Sequence, residues 1–100
     1  MTKDRPAAIP TVQLENERVK VTEWRFPPGG HTGWHRHGMD YVVVPITNGA
    51  LQIFDGKQTH AAELKRGVSY ARQVGVEHDV INANDFEFIF VEIELKATAG

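Results

Sequence analysis

Apolar and polar residues alternate along this chain over short runs, and turn-forming pairs separate the runs. No useful length of sequence keeps the 3.6-residue period of an amphipathic helix. Residues 18–26 read as a strand, because Val19, Val21, Thr22, Trp24 and Phe26 are the β-branched and aromatic types that fit a pleated surface. Pro27-Pro28-Gly29-Gly30 ends it. The apolar run 41–46 suits a strand buried on both faces. Asn48-Gly49 and Asp55-Gly56 are hairpin turns flanking a strand at 50–54, and 57–63 pairs back against it. Lys65-Arg66-Gly67 turns once more. A strand at 68–72, a tight loop at 74–77, a strand at 78–81, a turn at 82–85 and a closing strand at 86–95 follow. Upstream, a short strand is expected at 11–14 and a turn at 15–17. Residues 1–10 read as an extended arm, since Pro6 and Pro10 disfavour helix. The last four or five residues are expected to fray. Eight or nine short strands at near-regular spacing predict an all-β sandwich or barrel.

Composition narrows the class. One hundred residues support a single domain. A chain of this size buries only about 60–65% of its unfolded surface, so its core is small and oligomerisation is a natural supplement. The division expected is an N-terminal arm at 1–16 contributing an edge strand, a β-barrel domain at 17–95 and a tail at 96–100. Acids and bases are interspersed at a net charge of −2, without the basic stripe that nucleic acid or an anionic membrane would require. No segment approaches a membrane span. Cysteine is absent, and no apolar stretch suited to a signal peptide follows residues 1–6, so a cytoplasmic location is expected. Neither a phosphate-cradling loop nor a dinucleotide fingerprint is present.

Chemistry concentrates on histidine. His35 and His37 stand at i and i+2, a spacing that aims two side chains to one face of a strand. His78, on a distant strand, would complete a three-imidazole face for a transition metal, leaving coordination positions open to water or substrate. Iron, zinc, nickel and manganese are the candidate divalent ions. His31 shares the parity of His35 and is one candidate for a fourth ligand; Asp40, of opposite parity to His37, is the other. His60, in a polar hairpin arm, reads as solvated. Arg72 is the candidate clamp for a substrate carboxylate, because its planar fork matches one. Trp24, Phe26, Phe86, Phe88 and Phe90 read as core or as a dimer interface.

The spacing of these residues resembles the cupin family. The first cupin motif is Gly, five residues, His-x-His, three or four residues, Glu, six residues, Gly; Gly29, His35 and His37 match it, and Gly49 fits its closing glycine if the Glu place is Val42 or one residue is inserted after Tyr41. The second is Gly, five residues, Pro-x-Gly, two residues, His, three residues, Asn; Gly67, Gly75, His78 and Asn82 match it. With flanking strands the resemblance runs from about Glu17 to Leu95. It implies a double-stranded β-helix, or jelly-roll barrel, with a metal inside one end. The motif-one Glu is missing, its place falling on Tyr41 or Val42, and Gln73 replaces the motif-two Pro. Without that carboxylate a divalent ion keeps its full charge among neutral ligands, which favours an anionic substrate. Tyr41 then becomes a candidate catalytic residue, its hydroxyl placed to hydrogen-bond a species bound where the family Glu would be. Among cupins, three-His iron sites are those of thiol dioxygenases and some diketone-cleaving dioxygenases. Asn82, at the motif's Asn position, is expected to hold backbone.

The phrases Thr-Gly-Trp-His-Arg-His and Asp-Tyr-Val-Val-Val-Pro also look like short cupins of bacterial β-alanine degradation. Two functions are therefore expected to compete. One is a metal-dependent enzyme (a dioxygenase with iron, an isomerase or lyase otherwise) acting on a small anionic substrate in amino-acid or organic-acid catabolism. The other is a non-catalytic cupin that binds a metal or a small metabolite as a sensor or accessory protein. The expected assembly is a homodimer.

Overall fold

Antiparallel pairing arranges the chain as two facing sheets. The computed structural model describes residues 5–97. Its strands are β1 (Ile9–Glu15), β2 (Val19–Phe26), β3 (His35–Arg36), β4 (Asp40–Pro45), β5 (Gly49–Phe54), β6 (Thr59–Leu64), β7 (Tyr70–Arg72), β8 (Glu77–Ile81) and β9 (Phe88–Leu95). One sheet runs β1-β2-β9-β4-β7 and the other β3-β8-β5-β6. There is no helix among the described residues, in keeping with the alternation of the sequence. Residues 98–100, where fraying is expected, lie outside the described residues.

Strand registers define what faces inward. Across the five-stranded sheet, Thr22, Glu92, Val43 and Tyr70 form one cross-strand row, and Glu94, Tyr41 and Arg72 the next. Trp24, Phe90 and Pro45 make a third row on the opposite side of Glu92. Phe26 and Phe88 pair at the far end and are fully buried. Together with Leu51, Leu64 and Val80 of the second sheet they form the apolar core. That core fills one end of the sandwich, and the inner rows toward Arg72 line an open cavity.

Three expectations change. Residues 41–46 do not form a strand buried on both faces: Tyr41, Val43 and Pro45 are buried, while Val42 and Val44 are only partly so. In a two-layer sandwich each sheet has one covered face, so an unbroken apolar run still has an inside and an outside. The strand expected at 68–72 begins only at Tyr70, because Val68 N–H closes a turn on Lys65 C=O at 3.0 Å. The closing strand likewise begins at Phe88 rather than Phe86, and exposed Phe86 joins neither core nor sheet.

Asn82 causes that late start. Its side chain is fully buried, and Nδ2 lies within hydrogen-bond distance of the carbonyls of Phe26, Pro27 and Phe86, at 3.1, 3.2 and 2.8 Å. Its Oδ1 accepts from Asn84 N–H at 3.0 Å. One amide thus ties the end of β2 to the loop before β9. Gly29, in the left-handed region at φ +78°, donates its N–H to Asn82 C=O at 2.9 Å, which suits glycine at this turn.

Asn82→Ala leaves several buried backbone groups without partners and should lower stability by about 3 kcal/mol. Asn82→Asp should cost at least as much, since its carboxylate would face carbonyl oxygens. Urea unfolding midpoints read both, and a loss below about 1 kcal/mol for the Ala variant would remove this residue from its structural role.

Candidate metal centre

His35 and His78 are directly opposed partners in the β3–β8 ladder. Side chains of opposed residues share one face of a sheet, so the two imidazoles meet by register alone. His37 lies just beyond β3, yet its backbone is still held: its N–H donates to Val76 C=O and its C=O accepts from Gly75 N–H, both at 2.8 Å. Gly75 sits at φ +97°, where the chain turns back toward β8.

The three Nε2 atoms converge. His37 Nε2 is 3.0 Å from His35 Nε2 and 3.1 Å from His78 Nε2. Among the described residues this is the group of histidines and carboxylates able to hold a metal ion. His35 Nδ1 lies 2.8 Å from Gly33 C=O and 3.2 Å from Thr32 Oγ1. A carbonyl only accepts, so Nδ1 carries a hydrogen, and in the neutral ring Nε2 then presents a lone pair to the cluster. Burial, and then the charges of their neighbours, push His37 and His78 down to about 4, leaving both neutral at pH 7.

A cation suits this geometry better than hydrogen bonding does. With a lone pair on His35, neutral tautomers place a linear hydrogen bond in only one of the two short contacts. Nitrogens bound at right angles to one ion at about 2.1 Å would lie about 3.0 Å apart, close to the distances seen.

The cluster opens on a cavity of about 420 Å³. Ile53, Val80 and Phe90 contribute apolar wall. Tyr41, one of the two positions where the motif has its Glu, stacks its ring on His37 with centroids 3.8 Å apart. It is only 3% exposed, and its hydroxyl has no hydrogen-bond partner among the described residues. Arg72 stands exposed at the mouth, its guanidinium 5.8 Å from the centre of the Tyr70 ring.

The other candidates lie elsewhere. His31 is turned to Asp79, its Nδ1 2.9 Å from Oδ2. Asp79 Oδ1 also accepts from Gly33 N–H at 3.0 Å, so this pair staples residues 31–33 to β8 and His31 does not join the cluster. Asp40 Oδ1 accepts from Val74 N–H at 2.8 Å. It anchors the loop in which Gln73 replaces proline and supplies no fourth ligand. Exposed His60 pairs with Asp55.

Glu92 is the residue the sequence reading missed. It is 8% exposed, lines the cavity, and has Oε2 3.8 Å from His37 Nδ1. Trp24 Nε1–H reaches Oε1 at 3.4 Å. Burial and then the nearby Glu94 push its carboxyl up to about 7. Parity offered a signal: Glu92 shares its strand face with Phe88 and Phe90. That face alternates with Ile89, Val91 and Ile93, however, and apolarity alone does not say which set turns inward.

Two packed sheets, a His-x-His at the end of one short strand and a third histidine opposite it define a cupin metal-site scaffold, and this chain belongs to the cupin family. It is 55% identical over 92% of its length to the β-alanine degradation protein BauB of Pseudomonas aeruginosa, of which the match covers 97%. The structure of a cupin domain from Bordetella pertussis is 66% identical, with a TM-score of 0.93 over 96% of this chain and 100% of that one. A conserved protein with a double-stranded β-helix domain from Klebsiella pneumoniae is 25% identical, with a TM-score of 0.76 over 99% of this chain and 85% of that one. No family model matches the sequence.

Long-range ¹⁵N–¹H correlation spectra of the metal-free protein at pH 8 should show His35 as the Nδ1–H tautomer. An Nε2–H pattern would mean that the Gly33 carbonyl does not set the ring.

Proposed function

We propose that this chain is a metal-dependent cupin enzyme of organic-acid or amino-acid catabolism, working in β-alanine breakdown. The observation that carries the reading is the convergence of three imidazoles, at 3.0 and 3.1 Å, on the wall of a cavity sized for a small molecule. The name of the Pseudomonas relative supports the metabolic assignment.

His35, His37 and His78 would hold one divalent transition metal. Bound there, iron would supply dioxygenase chemistry, and zinc, nickel or manganese Lewis-acid chemistry. The protein's own groups do the rest. Gly33 and Thr32 fix the His35 ring. Tyr41 covers the face of His37 with its ring. The apolar walls limit water and strengthen polar contacts made inside. Arg72, beside Tyr70, meets the carboxylate of an entering anion at the mouth.

Metal analysis of untagged protein is the first test. Native protein should carry about one metal ion per chain, and His78→Ala should lose it, since removing one of three ligands leaves too few to retain it. Native protein that takes up no metal, even after reconstitution, would overturn the metal reading. Arg72→Ala should weaken binding of a small carboxylate such as propionate by roughly tenfold or more, with metal content unchanged. Binding without turnover, across oxygen-dependent and redox-neutral assays, would favour a sensor or accessory protein instead.

A further inference from the structure

Glu92 is a buried carboxylate with too few partners. Its polar contacts among the described residues are a long hydrogen bond from Trp24 Nε1 at 3.4 Å and the edge of His37 at 3.8 Å. Buried carboxylates ordinarily gather several strong donors. The Tyr41 hydroxyl, also buried, has no partner at all among the described residues. Both side chains line the cavity and both abut His37, Tyr41 on its ring face and Glu92 at its Nδ1 edge.

Registers relate this pair to the mouth. Arg72 is the cross-strand partner of Tyr41, and Glu92 lies one inward-facing row, about 7 Å, deeper in the sheet. Arg36, Glu63, Arg72 and Glu94 also line the cavity, and Glu92 is the buried one of these five charged groups. The under-partnered carboxylate of Glu92 suits a ligand group that is positively charged and carries several hydrogens. An ammonium has three.

We propose that Glu92 forms a subsite for the ammonium group of a small zwitterion, whose carboxylate lies toward Arg72. This rests on reading the cavity as a site for small carboxylates and adds the second charge that a substrate must carry. It makes Glu92 a specificity-determining residue. The competing role, a carboxylate that only orients His37 from behind, would act on metal affinity rather than on ligand choice.

Calorimetric titration of zinc-loaded protein with 3-aminopropionate, propionate and n-propylamine separates these roles, with metal content measured on the same samples. Native protein should bind 3-aminopropionate roughly tenfold or more tightly than propionate, the loss expected for one charged hydrogen-bond partner. Glu92→Gln keeps the side chain's shape and should erase that preference with zinc content unchanged and propionate bound no more weakly. The retained zinc and propionate binding guard against a folding defect in this variant. Equal binding of the two acids by native protein, or a preference that survives Glu92→Gln, would overturn the proposal. So would zinc loss in Glu92→Gln with the preference intact, which would assign Glu92 to His37 alone. Native protein that binds zinc but neither acid would overturn the small-carboxylate reading itself, and this proposal with it.

Discussion

The site hangs from a ladder two residues long. β3 pairs with β8 only through His35 and Arg36, yet this register sets His35 against His78 and determines where a metal can sit. So short a ladder has little stability of its own, and its surroundings supply the rest. Thr32 N–H bonds to Val80 C=O, His31 and Asp79 staple the approach to β3, and residues 75 and 76 hold the backbone of His37. His35 and His37 are thus aligned in part by groups outside the cluster.

Electrostatics then make the aligned rings useful. Desolvation disfavours their charged forms, so His37 and His78 meet as neutral bases with lone pairs available. The same burial acts in the opposite sense on Glu92 and raises its carboxyl, because the charged form of an acid is the form penalised. A single desolvated pocket therefore holds neutral bases on one wall and a reluctant anion on another. Arg36 and Arg72, both exposed, are the cations that line the same cavity.

Membership of the cupin family accounts for the frame, while the departures from its motifs give this chain its character. At Tyr41, one of the two positions where the motif has its Glu, stands an aromatic ring that packs on a histidine and a hydroxyl that lacks a partner among the described residues. The loop that has lost its motif proline is held instead by the carboxylate of Asp40. The buried carboxylate of the cavity wall, Glu92, comes from a different strand and lies at the Nδ1 edge of His37, away from the converging Nε2 atoms.

Local patterning was enough to predict the strands, the hairpin turns at Asn48-Gly49 and Asp55-Gly56, and the grouping of His35 with His37, because each depends on neighbours a few residues apart. The spacing of glycines, His78 and Asn82 also pointed to the cupin frame. What lay beyond such reasoning was any property set by strands distant in the chain. β4 and β9 are apolar at both parities, so only packing against the second sheet decided that Tyr41 and Glu92 turn inward while Val42 and Ile93 turn out. His31 and Asp40 had plausible chemistry and suitable proximity in sequence, but hydrogen-bond partners at Asp79 and Val74 took them elsewhere. The sequence by itself determined which residues could do chemistry, since side-chain type and local period are written there. Tertiary structure alone decided which of them share one cavity, because burial and cross-strand register arise only when the two sheets close on each other.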